Sequence, residues 1–317
     1  MVKIENITKN YGQIKALDNI SFEVKDGEVL GFLGLNGAGK TTTMNIITGF
    51  IPPTSGTVIV NNTDIMEEPK KVKSQIGYLP EQPPLYMDMT VSEYLKFVAG
   101  LKKIAPAMIK QNVEKAIESV KINDVAGRII ANLSKGYKQR VGFAQALIGN
   151  PEILIFDEPT IGLDPTQVIE IRKLISELQK KHTIIFSSHI LSEVSAVANR
   201  IVIIDKGKII AEGDTKSLSR SFGGNDLEIS VLGPKQAVMA AIRSVSGVKS
   251  VEHISTRNDL NSFEIEHDEN IDIRKALFFE LAKQSFPIYE LKTLYGNLEE
   301  IFLGIVKHGG LKVRRRR

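Results

Sequence analysis

Apolar and polar residues alternate at the start of the chain. Val2, Ile4 and Ile7 mark a first run and Ile20, Phe22 and Val24 a second, closed by Lys25–Asp26–Gly27. A period of two predicts two half-buried strands. Glu28–Leu33 does not alternate: Val29, Leu30, Phe32 and Leu33 make it apolar throughout, which predicts a strand buried on both faces, and Thr42–Thr48 reads as the start of a helix. The turn Pro52–Gly56 precedes a strand at Val58, Ile59 and Val60. Residues 75–90 hold Gly77, Pro80, Pro83 and Pro84 and predict a loop with a short strand at its start. The period then changes. Thr90-Val91-Ser92-Glu93 has the form of a capping box, and Val91, Tyr94, Leu95 and Val98 follow at helical spacing. A second helix carries Ile109, Val113, Ala116, Ile117 and Val120, so residues 90–150 are predicted to be a mostly helical insert.

After the insert, strands and helices alternate again. Ile153–Phe156 and Thr183–Ser187 read as strands on either side of a helix at Val168–Leu178, and Ile201–Ile204 as a strand before a Lys206–Gly207 turn. This order predicts an α/β core with a largely parallel sheet. The composition shifts near Ser219–Asn225, which suggests a linker at 221–225. Leu227, Ile229 and Val231 alternate as a strand, 235–245 read as a helix, Phe263 and Ile265 as a strand, Ile273, Leu277 and Leu281 as a helix, and Ile288–Leu291 as a strand. A last helix is expected with Leu298, Ile301, Phe302 and Ile305 on one face. The expected domains are 1–220, a small α+β domain at 226–306, and a basic tail at 307–317.

Composition narrows the picture only a little. Hydrophobic residues make up 42% and charged residues 25%, the balance of a globular protein. No run of eighteen apolar residues is present, so no transmembrane segment is expected. There is no cysteine, which excludes disulfides, thiolate metal sites and Cys nucleophiles. The net charge of +4 could point to nucleic acid. However, Lys312 and Arg314–Arg317 supply five of the positive charges, so the rest of the chain is near neutral and nucleic acid is not the expected partner.

The chemistry is concentrated at Gly34-Leu35-Asn36-Gly37-Ala38-Gly39-Lys40-Thr41, which fits G-x-x-x-x-G-K-[ST], between a predicted strand and a predicted helix that includes Thr42. The glycines let backbone N–H groups face a polyphosphate at the positive end of the helix. Lys40 would reach the β- and γ-phosphates, and the Thr41 hydroxyl would bind Mg²⁺. Ile153-Leu154-Ile155-Phe156-Asp157 is an apolar run ending in a carboxylate, the Walker B pattern, so Asp157 would hold Mg²⁺ through a water. Glu158 follows it and can take a proton from the water that attacks the γ-phosphate.

Further motifs identify a family resemblance. Leu133-Ser134-Lys135-Gly136-Tyr137 resembles the LSGGQ signature of ATP-binding cassette (ABC) proteins, with Lys135 and Tyr137 departing from it. The chain is similar to that family also in Tyr11 as the aromatic A-loop, Gln82 as the Q-loop, Ile161-Gly162-Leu163-Asp164 as the D-loop and His189 as the switch histidine. Gly77-Tyr78-Leu79-Pro80-Glu81-Gln82 and the signature resemble the ATPase subunits of bacterial ABC-2 type exporters. The fold this implies is a P-loop ABC cassette with a RecA-like core, an N-terminal antiparallel β subdomain, a helical signature subdomain and a small C-terminal α+β domain. The resemblance implies ATP and Mg²⁺ as cofactors, with Tyr11 stacking on adenine, Gln82 bridging Mg²⁺ and the attacking water, and His189 contacting the γ-phosphate. It also implies that Ser134, Gly136 and Asp164 serve the nucleotide of an opposed subunit, either a second copy or a paralogue.

The implied activity is ATP hydrolysis that drives export through a separate membrane permease of ABC-2 type, with this chain on the cytoplasmic face. The alternative is a soluble ABC ATPase acting on a macromolecule other than a transporter. A GTPase is disfavoured, since no Asn-Lys-x-Asp stretch is present. Residues 83–89, with Leu85, Tyr86, Met87 and Met89, are expected to meet the permease.

Overall fold

The computed structural model describes residues 1–215, 217–218, 225–268 and 271–295. The chain divides into two compact units, Met1–Asp214 and Thr215–Arg317. The first opens with the hairpin β1 (Val2–Tyr11) and β2 (Ile14–Val24), then β3 (Val29–Leu33) and α1 (Lys40–Ile47). β4 (Ser55–Val60), β5 (Thr63–Asp64), α2 (Pro69–Ser74) and β6 (Ile76–Leu79) follow. Three helices come next: α3 (Val91–Leu101), α4 (Pro106–Ser119) and α5 (Lys135–Leu147). The unit is completed by β7 (Ile153–Phe156), α6 (Pro165–Leu178), β8 (Thr183–Ser188), α7 (Leu191–Ser195), β9 (Arg200–Asp205) and β10 (Lys208–Gly213).

Two sheets result. The antiparallel one runs β2-β1-β4-β5. The larger runs β10-β9-β3-β8-β7-β6, parallel except for β10. The difference in pattern along the chain has its cause here. β3, β7 and β8 are buried at every residue, so their sequences have no polar face to show. The two sheets share one core: Ile4, Ile20, Phe22 and Val58 pack with Phe32, Met44, Ile155 and Val202, and the rings of Phe22 and Phe32 lie 5.3 Å apart. Burial of these side chains contributes about 1.5–3 kcal/mol each.

The helical insert begins at the capping box. Glu93 N–H donates to Thr90 Oγ1 at 3.3 Å, and Thr90 N–H donates to Glu93 Oε2 at 2.9 Å. Val91, Tyr94, Leu95 and Val98 then face inward, as their spacing predicts. The Thr90 cap satisfies donors that the first turn would otherwise leave open.

The second unit has β11 (Asn225–Leu232), α8 (Lys235–Arg243), β12 (Val248–Arg257), β13 (Leu260–His267), α9 (Arg274–Lys283) and β14 (Ile288–Tyr295). Its sheet runs β12-β13-β11-β14, antiparallel throughout. Leu227, Ile229, Val231, Phe263 and Ile265 pack against Val238, Ile242, Leu277 and Leu281 of the helices. This is the α+β arrangement expected after the cassette. The expected final helix with Leu298, Ile301, Phe302 and Ile305, the basic tail, and positions 221–224 of the expected linker lie outside the described residues.

Candidate active site

β3, β8, β7 and β6 point the same way, so the segments that follow them meet at one edge of the sheet. In an open α/β sheet this carboxyl edge is where ligands bind. The loop after β3 is Gly34–Gly39. Gly37 and Gly39 have φ of +81° and +114°, a region that side chains with a Cβ rarely enter. Gly39 is also hemmed in: a Cβ there would stand 2.7 Å from Leu17 Cδ2 and 3.0 Å from the Ala16 carbonyl oxygen. A Cβ on Gly34 would stand 2.5 Å from the Ile204 carbonyl oxygen. No atom comes within 4 Å of a Cβ on Gly37, so there the backbone angle alone requires glycine.

Lys40, first residue of α1, is buried to 6% exposure. Its ammonium donates to the carbonyl of Gly34 at 2.8 Å and that of Leu35 at 3.2 Å, and lies 3.0 Å from Glu158 Oε1. β7 supplies the carboxylates. Asp157 N–H donates to Leu79 O at 2.9 Å, and its Oδ1 accepts from Ser187 Oγ at 2.5 Å. Burial pushes the Asp157 carboxyl above the ordinary carboxylate range; hydrogen bonds from Ser187 and Thr41 act the other way, and the charges of Glu158 and Glu81 add to the rise. Glu158 is the more unusual residue. It is 4% exposed, has φ of +48°, and its Oε2 lies 2.8 Å from His189 Nδ1. Its other oxygen, Oε1, has no hydrogen-bond partner and is met by the Lys40 ammonium as an ion pair at 3.0 Å. Asp157 Oδ2 likewise has no hydrogen-bond partner. With Glu158 Oε1 ion-paired to Lys40, the Asp157 Oδ2 oxygen is the one left open for something else to meet.

The structure thus brings Lys40, Thr41, Asp157, Glu158 and His189 together. Gln82 stands exposed three residues beyond the end of β6, next to Glu81, whose charge reaches Asp157. Tyr11 ends β1 and pairs with Ile14; its half-exposed ring carries the Lys9 ammonium at 5.2 Å. The Ala16–Leu17 stretch of the same hairpin touches Gly39.

The signature residues lie elsewhere. Ser134 caps α5, its Oγ accepting from Tyr137 N–H at 3.4 Å. Asp164 caps α6 by accepting from Gln167 N–H at 2.9 Å. Gly136 packs so closely on Gln167 that a Cβ would stand 2.7 Å from its carboxamide carbon. Ser134, Gly136, Leu163 and Gln167 line one open cleft. Among the described residues, no hydrogen bond or ion pair joins Ser134, Gly136 or Asp164 to the Gly34–Thr41 loop. The sequence reading gave Ser187 no role, although its hydroxyl sits between both carboxylate residues. The available signal was a polar residue ending a fully buried strand beside the one that carries Asp157.

The residues fit a Mg²⁺ ion bound with nucleotide. The open oxygen of Asp157 and the Thr41 hydroxyl are hard oxygen donors. No group of three or more His, Cys, Asp or Glu able to hold a metal occurs among the described residues.

Comparison with known proteins agrees with this chemistry. The ABC transporter family model matches residues 17–161. The chain is 34% identical over 309 residues to the linearmycin resistance ATP-binding protein LnrL of Bacillus subtilis, covering 96% of this chain and 98% of that one. It is 32% identical over 311 residues to the bacitracin transport ATP-binding protein BcrA of Bacillus licheniformis, covering 93% and 98%. Among solved structures, the ATP binding subunit of an ABC transporter superposes with a TM-score of 0.64 at 29% identity, covering 70% of this chain and 93% of that chain. A dimeric ATP-binding cassette in a post-hydrolysis state, bound to ADP and Pi, gives 0.61 at 28% identity, covering 68% and 98%.

Proposed function

The chain belongs to the ABC transporter ATP-binding proteins, an ATPase family, and from this premise we propose that it powers an export complex by pairing with a second ATPase subunit around two ATP molecules. The partner in the membrane would be a separate permease of ABC-2 type, with residues 83–89 against it. No described helix is long and apolar enough to cross a membrane. The chain would then sit at the inner face of the membrane through its permease. Relatives named for linearmycin resistance and bacitracin transport support the export direction.

One observation carries the enzymatic reading. Glu158, buried and held in a strained backbone conformation, faces Lys40 on one side and His189 on the other. In this reading the Gly34–Gly39 amides and Lys40 hold the β- and γ-phosphates of ATP, and Thr41, Asp157 and Gln82 hold Mg²⁺. The ion, when bound, neutralises charge on the β- and γ-phosphate oxygens. Glu158 accepts a proton from the water whose oxygen bonds to the γ-phosphorus as the bond to the ADP oxygen breaks. His189 lies against Glu158 through Nδ1 and would contact the γ-phosphate through Nε2. Tyr11 stacks on adenine. Ser134, Gly136 and Asp164 complete the partner's site.

The test is Glu158→Gln. It should bind ATP normally, lose hydrolysis by about 10²–10⁴-fold, and accumulate as an ATP-bound dimer in size-exclusion chromatography. Near-normal turnover would remove Glu158 from this role.

A further inference from the structure

A residue with a Cβ at φ near +50° needs its surroundings to hold it there, since that conformation is disfavoured for side chains with a Cβ. At Glu158 the holding contact is visible. Its N–H donates to Ser187 Oγ at 2.9 Å, and the Ser187 hydroxyl proton goes on to Asp157 Oδ1 at 2.5 Å. Ser187 is fully buried, so water does not compete for either bond.

Its position explains why a side chain does this work. The paired residues of β7 and β8 end at Phe156 and Phe186. On its other side β8 continues to pair with β3, Phe32 with Ser187 and Leu33 with Ser188. The backbone of Ser187 is therefore fixed by β3, while its hydroxyl reaches across to the turn that leaves β7. A hydroxyl has one proton. Ser187 gives that proton to Asp157 Oδ1, the oxygen that is not open, and Oδ2 stays free.

We propose that Ser187 is a positioning residue for hydrolysis: one hydroxyl fixes both the turn that aims Glu158 and the carboxylate orientation that leaves Asp157 Oδ2 for Mg²⁺. The proposal rests on the ATPase reading above and adds a residue whose hydroxyl bonds the Glu158 N–H and the Asp157 carboxylate. Ser187→Ala leaves the Glu158 N–H without its buried acceptor and Asp157 Oδ1 without the Ser187 hydrogen bond that sets which carboxylate oxygen stays open. Displacing a reacting group by about 1 Å can cost about 10²-fold in rate.

The experiment uses the full chain in four forms: wild type, Ser187→Ala, Ser187→Thr and Glu158→Gln. Three quantities are measured at 25 °C: kcat and KM for MgATP, the dissociation constant of a fluorescent ATP analogue in EDTA, and the Mg²⁺ concentration that gives half the ATP-induced rise in melting temperature. Ser187→Ala is expected to lower kcat by about 10–100-fold with KM within about threefold. Its affinity for the analogue in EDTA should be unchanged, and its Mg²⁺ requirement should rise severalfold. Ser187→Thr, which keeps the hydroxyl, should restore kcat and the Mg²⁺ requirement. If Ser187→Ala fails to fold, Ser187→Cys replaces it: the thiol keeps the volume but is a weak donor and acceptor, and should show the same losses. Wild-type kcat and Mg²⁺ requirement in Ser187→Ala, with hydrolysis lost in Glu158→Gln, would overturn the proposal and leave the ATPase reading standing. Normal hydrolysis by Glu158→Gln would overturn the reading itself. A lower kcat that Thr does not restore, accompanied by weaker analogue binding in EDTA, would make Ser187 a packing residue and also overturn the proposal.

Discussion

The edge around Lys40 and Glu158 differs from the cleft around Ser134 and Gly136 in burial, in strain and in unmet hydrogen bonds. At the first, Lys40, Asp157 and Glu158 are buried, Glu158 has positive φ, and two carboxylate oxygens lack hydrogen-bond partners. At the second, Ser134 and Asp164 lie at helix starts with φ of −63° and −74°, and each already caps its own helix. Buried groups left open cost stability unless a ligand meets them. Satisfied caps cost nothing and still present the positive ends of α5 and α6 to the outside. The first place keeps a buried carboxylate oxygen for a ligand to meet, and the second presents satisfied helix starts at an open cleft. In the proposed function the open cleft serves the nucleotide of an opposed subunit.

Lys40→Ala gives the largest test of that comparison. It removes the cation that donates to the Gly34 and Leu35 carbonyls and is the counter-charge of buried Glu158. Hydrolysis should fall by at least about 10²-fold, and the nucleotide-free protein should also melt at a lower temperature, because a buried carboxylate loses its ion pair. An unchanged melting temperature would mean that the Lys40–Glu158 pair does not stabilise the nucleotide-free protein. Ser134→Ala should separate the two places. Losing a serine cap costs about 1 kcal/mol, so the monomer is slightly less stable, but its affinity for ATP in EDTA should equal that of wild type while hydrolysis falls. Weaker binding by the monomer would mean that Ser134 serves its own chain's nucleotide. Asp164→Asn is the mildest change. Asn caps about as well as Asp, so stability should shift by no more than a few tenths of a kcal/mol in thermal or urea unfolding. A larger loss would show that the Asp164 charge does more than cap α6.

How much of this could be read from residues alone depended on distance along the chain. The glycine loop, Lys40 and Thr41 were legible because spacing within one short stretch carries the chemistry. The Thr90–Glu93 capping box was legible for the same reason, and both of its bonds are present. β12 was not found because only Val251 of its ten residues is buried, so it has no inward face to alternate. α5 was only part of a helical stretch, since its polar positions Lys135, Lys138 and Arg140 fall among buried residues such as Val141 and Phe143. Ser187 was missed because its meaning comes from a neighbouring strand thirty residues away. Another such tie is buried Glu193, which accepts from Thr160 Oγ1 at 2.5 Å and Ser188 Oγ at 3.0 Å and so links the turn after Glu158 to the strand end before His189.

The place of β3 in its sheet also has a consequence for synthesis on the ribosome. Its two neighbours are β8 and β9, and the side chain of Asn199 accepts the hydrogen bond from Val29 N–H across 170 residues of sequence. At about 5–20 residues per second, the phosphate loop emerges about 10–30 seconds before the strands that must flank it. Until then the apolar stretch Val29–Leu33 has neither ladder filled, and a nascent chain that ends before β8 has no site to assemble. Long-range parallel pairing of this kind is slow to form. The Gly34–Gly39 loop therefore cannot have its own strand flanked on both sides until β8 and β9 have been made.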